Sequence, residues 1–176
     1  MNIFAVLSLQ SARYWVVVFA TTVIIAGLLL AQFAGAQTDT IDATVTATNL
    51  AVTVSDGTIE FGSVALNTAT TTAGNGYTQT ATNDGSDAQL NVKSTNATGG
   101  TTWTLDTAPD SNKFKLEVST TSGSSYMTLQ AVDTYLTAST TFTSLSSGDL
   151  DFRFTTPTAS SDFVEKSLTI TVQVAP

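Results

Sequence analysis

Beyond residue 36, apolar and polar side chains alternate with a period of two, and no window has the 3.6-residue period of an amphipathic helix. Alternation of this kind places one face of a strand against a core and the other against water. It predicts strands at TIDATVTAT (40–48), LAVTV (50–54), TIEF (58–61), YTQTAT (77–82), AQLNVKS (88–94) and TTWTLD (101–106). Further strands are predicted at KFKLEVS (113–119), YMTLQAV (126–132), DLDFRFT (149–155) and VEKSLTITVQV (164–174). Asp56-Gly57, Asn75-Gly76, NDGSD (83–87) and APDSN (108–112) are turn signals between them, while 68–76 reads as a polar loop and 133–148 is weakly patterned. Eight to ten short strands with turns every ~8–12 residues imply an all-β, antiparallel β-sandwich.

One stretch breaks phase. In DATVTATNLAVTVS (42–55) the apolar side chains fall first on Ala43, Val45 and Ala47 and then on Leu50, Val52 and Val54. A one-residue slip turns a strand inside out. Either a bulge near Thr48-Asn49 re-aims a single strand, or the chain crosses there between sheets or between molecules. On both readings Leu50, Val52 and Val54 are expected in the core of residues 49–176. The owner of Ile41, Ala43, Val45 and Ala47 stays open between this domain and a neighbour.

The N-terminal residues follow a different rule. Tyr14 to Ala31 is an uncharged run of eighteen residues after a single Arg13, and Ala34-Gly35-Ala36 follows it. Small residues at Ala34 and Ala36 suit signal peptidase, so 1–36 reads as a hydrophobic helix serving as a signal peptide, cleaved after Ala36. An uncleaved anchor is the alternative, because a run of this length can just span a bilayer core of ~30 Å. Three parts result: the signal at 1–36, an extended segment or first strand at 37–48, and the sandwich at 49–176. The expected location is secreted or cell surface, with membrane contact only through the hydrophobic segment if it is retained.

Composition narrows the function. Five basic against fourteen acidic side chains lie beyond residue 36, a net charge of −9. That disfavours nucleic acid and anionic lipid, which attract clustered Lys and Arg. The chain has neither histidine nor cysteine, so histidine-based triads, thiol chemistry and disulfides are excluded. Thirty-three threonines lie beyond residue 36; their branched side chains favour strands while a hydroxyl stays on the wet face. No nucleophile stands beside a base, and no catalytic residue, metal site or cofactor is expected.

With the strands placed, IEFGSVALN…TQTATNDGSDAQLNVKS (59–94) and SLSSGDLDFRFTTPTA…KSLTITV (144–172) resemble ASH/HYDIN-type immunoglobulin-like domains. Phe61, Gly62, Val64, Asn83, Gly85, Phe154, Pro157 and Ile170 carry the resemblance, whereas Asn67 stands where a glycine is usual. The resemblance implies an immunoglobulin-like sandwich acting as a structural or protein-contact module, and it brings no catalytic residue.

Individual candidates have ordinary readings beside the sharper ones. Asp84 and Asp87 are turn residues before they are Ca²⁺ ligands. Asp149 and Asp151, two apart on one strand, read as a solvated face rather than a glycosidase-type pair. Trp103, in step with Leu105, reads as a core residue rather than a sugar platform, and Tyr77, Tyr126 and Tyr135 are scattered in sequence. Asn96-Ala97-Thr98 is a glycosylation sequon in a surface loop. The expectation is a non-enzymatic, self-associating fibre, pilus or layer subunit whose Ile41, Ala43, Val45 and Ala47 strand adds to a neighbour's sheet edge. A surface adhesin or carbohydrate-binding module, and a pilin-like subunit that retains its helix, are the alternatives.

Overall fold

The structure, a computed structural model, describes Ala20, residues 42–45 and residues 47–176. The signal residues Ala34 and Ala36, the hydrophobic run apart from Ala20, and Ile41 lie outside the described residues. The chain divides after Val45 into two units, and every strand among the described residues belongs to the second, Thr46–Pro176.

Ten strands make two sheets in a sandwich-like arrangement: β1 (Val52–Val54), β2 (Ala69–Thr71), β3 (Gln79–Asn83), β4 (Ala88–Ser94), β5 (Thr104–Leu105), β6 (Lys113–Ser119), β7 (Met127–Thr128), β8 (Leu136–Phe142), β9 (Ser147–Thr155) and β10 (Ile170–Ala175). The first sheet runs β1-β3-β9-β6-β5, with β2 also on β9 and β7 also on β6; the second runs β10-β4-β8. All pairs are antiparallel except β5 with β6, which is parallel. That two-residue pair departs from the wholly antiparallel expectation. Strands β2 and β3 lie in line along β9, opposite residues 153–155 and 147–150 respectively. Residues 72–78 leave the sheet between them.

The core forms where alternation predicted it. Leu90 and Val92, Phe114, Leu116 and Val118, and Leu150, Phe152 and Phe154 are buried between the sheets. Phe154 stacks between Phe61 and Phe114, with ring centroids 5.2 and 5.1 Å away.

Several predicted strands shrink or vanish. TIEF is not a strand: positive φ at Asp56, Gly57 and Gly62 brackets it, so its backbone never aligns with a neighbour, although Ile59 and Phe61 still pack on the core. Of 164–174 only the part from Ile170 is strand. Conversely, β8 arises in the weakly patterned region because it carries register shifts opposite Ala88–Asn91, which scramble a period of two. Asn67, the departure noted above, sits at φ 53°, a left-handed conformation that asparagine tolerates.

Candidate assembly surface

One end of the sandwich is built around the turn after β3. Asn83 is fully buried, and its Nδ2 donates to the carbonyls of Ser86 (2.9 Å), Phe142 (2.8 Å) and Thr143 (3.2 Å). Its Oδ1 accepts from the Gly85 N–H at 2.9 Å. One amide therefore ties the β3–β4 turn to the β8–β9 turn. Asp87 Oδ1 accepts the Ser144 N–H at 2.7 Å, and Asp84 Oδ2 accepts the Thr53 hydroxyl at 2.9 Å. Both carboxylates act within this end of the fold, as the turn reading expected.

The same turn grips the chain where it enters the domain. The Ser86 N–H donates to the Asn49 carbonyl (2.6 Å), the Asn49 N–H to Ser86 Oγ (3.1 Å), and the Asp84 N–H to the Ala51 carbonyl (2.9 Å). The backbone passes so close that a Cβ on Gly85 would stand 2.2 Å from Asn49 O. Gly85→Ala is expected to push the entering strand off the turn, costing about 1–3 kcal/mol. Limited proteolysis should then cut within 47–55 faster than in the parent protein, with the rest of the domain retaining its protection.

The described residues before this grip, 42–45, 47 and 48, belong to no strand. Ala43, Val45 and Ala47 are exposed and outside any strand, Val45 at 95%. The phase slip thus falls at the clamp. Of the second set only Val52 packs against the core; Leu50 and Val54 are 38% and 36% exposed. Their expected burial is corrected, because β1 is three residues long and lies at the margin of its sheet.

The second sheet has two outer strands, β8 and β10. β10 pairs with β4 in unbroken register from Ile170↔Ser94 to Ala175↔Gln89. Its sequence ITVQVA is uncharged, and of its inward side chains Val174 is buried while Ile170 and Val172 are only half covered. β8 shifts register twice along β4, and its Ala138 and Phe142 are buried.

The outer face of the first sheet is less solvated than its alternation implied. Glu117 is 3% exposed. Arg153, directly opposite on β9, holds it through Nε (2.6 Å) and Nη2 (2.8 Å), and Lys115 Nζ lies 2.7 Å away. The guanidinium sits 4.3 Å from the ring centre of Tyr126. Asp151 is also buried, accepting the hydroxyls of Thr72 (3.2 Å) and Thr78 (2.6 Å) from the excursion between β2 and β3. The reading of Asp149 and Asp151 as one solvated pair is therefore corrected. Of the two only Asp149 is exposed, accepting the Thr80 hydroxyl at 2.9 Å.

The far end of the sandwich carries loops 95–112 and 156–169. Trp103 is a core residue there, its Nε1–H donating to Ser160 Oγ at 3.0 Å and Lys166 Nζ lying 5.3 Å from its ring centre. Asn96, the sequon residue, is half-buried and uses Oδ1 to accept the Leu105 N–H at 3.0 Å. Phe163 and Val164 are 82% and 51% exposed in these loops. Glu60, Phe61, Gly62, Thr70–Thr72, Asn75 and Tyr77 line an open cavity of about 260 Å³. Among the described residues no helix is long and apolar enough to cross a membrane, and no three acidic, histidine or cysteine side chains converge as metal ligands. The clamp at Asn49, strand β8 and the edge position of β10 carried no signal in the sequence, although β10 lies within the strand predicted at 164–174 and Asn83 and Gly85 had been singled out by the resemblance. Compared with family models, with curated proteins and with solved structures, the chain finds no match.

Proposed function

We propose that the chain is an exported, non-enzymatic structural subunit with an immunoglobulin-like sandwich, which self-associates into a fibre, pilus or layer at the cell surface. The segment before Asn49 joins one copy to the next by adding a strand to a neighbour's sheet. The observation that carries this reading is the contrast at Asn49: the chain is clamped from there on, while Ala43, Val45 and Ala47 stand exposed and outside any strand. Addition to an identical neighbour is a heterologous contact, and repeated without closure it makes a filament.

Electron microscopy of the exported full chain should show filaments or sheets, and removal of residues 40–48 should abolish them while leaving the thermal transition in place. A monodisperse monomer at high concentration, or a deletion that merely unfolds it, refutes the proposal. A second reading, carbohydrate binding, rests on the cavity's aromatic, carboxylate and amide lining at Tyr77, Glu60 and Asn75. Glycan binding that disappears in Tyr77→Ala would establish it. Mass spectrometry of the mature N-terminus separates cleavage after Ala36 from a retained pilin-like helix.

A further inference from the structure

We propose that the strand-accepting edge is β10 of a second copy, and that the incoming segment runs antiparallel to it. This rests on the self-association reading above and specifies its partner surface. A free edge invites pairing when it is long, straight, uncharged and backed by uncovered apolar side chains. β10 meets each condition. It is six residues long, in unbroken register with β4 and without charge, and its inward Ile170 and Val172 are half covered. β1 of the first sheet comes near β10 without pairing with it, and its Val52 is half-buried. β8 fails the test, because its two register shifts distort the edge and its inward Ala138 and Phe142 are already buried. The first sheet ends in three-residue β1 on one side and in two-residue β5 and β7 along β6 on the other.

Chain direction decides which copy supplies the strand. β10 runs from the loop end at Ile170 to the clamp end at Ala175, as its pairing with Ser94 and Gln89 fixes. The segment leaves the domain at the clamp end, at Asn49. Folded back on its own β10, it would have to run parallel to it. Exchanged between two copies meeting clamp end to clamp end, it would again run parallel. Only when the clamp end of one copy meets the loop end of the next does the segment enter antiparallel, the pairing that is more stable per residue. Ala43, Val45 and Ala47 then face Val174, Val172 and Ile170 and fill the half-covered margin. Thr44 lies beside Gln173 on the outer face.

Disulfide trapping in the exported full chain tests this cleanly, because the chain has no cysteine of its own. The double variant Thr44→Cys/Gln173→Cys should give a ladder of interchain disulfides on a non-reducing gel. Thr48→Cys/Gln173→Cys and Thr44→Cys/Thr137→Cys should give none. An intrachain bond in the Thr48→Cys pair would mean closure on the chain's own β10. An interchain bond there that stops at dimers would mean reciprocal exchange, and a ladder from the Thr137→Cys pair would make β8 the acceptor. Each overturns the proposal. Filaments that form normally yet trap in none of the pairs overturn the β10 assignment alone; a chain that never assembles overturns the self-association reading itself.

Discussion

Asn83→Ala is expected to destabilise the sandwich by about 3 kcal/mol, since removing one partner of a buried hydrogen bond leaves the other with a desolvation cost of ~1–3 kcal/mol. The variant strips a donor from the carbonyls of Ser86, Phe142 and Thr143 and an acceptor from the Gly85 N–H. Water entering the vacated space restores part of this, which keeps the total below the sum of the bonds. The loss should appear as a lower denaturant midpoint with an unchanged slope. Asn83→Asp should be worse at neutral pH, because a carboxylate oxygen would then face the Phe142 and Thr143 carbonyls at a fully buried position. Protonation supplies one O–H donor, so the gap between the two variants should narrow in acid. If Asn83→Asp is no less stable than Asn83→Ala at pH 7, the amide is not the tie between the two turns.

Acid should also weaken the parent protein through Glu117. Burial alone would raise the pKa of its carboxyl, but the Arg153 and then the Lys115 hydrogen bonds outweigh burial and hold it at about 2, below the ordinary 4.5. A carboxyl with a depressed folded pKa adds stability that is complete above its unfolded pKa and is lost as pH falls toward the folded one. The affected window is therefore about pH 4.5 down to 2. The contribution is about 2–3 kcal/mol at ~1.4 kcal/mol per pH unit, reduced somewhat because its cationic partners are partly exposed. Glu117→Gln should flatten the stability profile across that window. Arg153→Met should cost more at pH 7 than Glu117→Gln, because it strands a buried anion, whereas Arg153 and Lys115 can reach water when the glutamate is removed. Equal acid sensitivity in the parent and Glu117→Gln would show that the pair does not titrate with folding.

The positions that alternation located and those it missed differ for a physical reason. Alternation reports which side chains share a face, and it placed Phe114, Leu116, Val118, Phe152 and Phe154 in the core. It cannot report what lies on the other face. Glu117 and Asp151 are in phase with solvent, yet one pairs across strands with Arg153 beside Tyr126, and the other lies under the Thr72–Thr78 excursion. β8 was illegible because its register shifts break the period that would have marked it. The end clamp was half legible: Asn83 and Gly85 stood out as turn residues. That the turn holds Asn49 depends on contacts 37 positions apart, which no local pattern encodes.

The Asn83 tie also orders events in time. Its amide reaches carbonyls 59 and 60 positions further along the chain, and such distant contacts form only after the intervening loop has been closed against its entropy. In a chain emerging N-terminus first, the residues before Asn49 appear early, but the turn that grips the chain at Asn49 is complete only once Phe142 and Thr143 have arrived. On the proposed self-association, a segment rooted on that turn would be anchored only at the end of folding, so polymerisation would follow maturation of each subunit instead of competing with it.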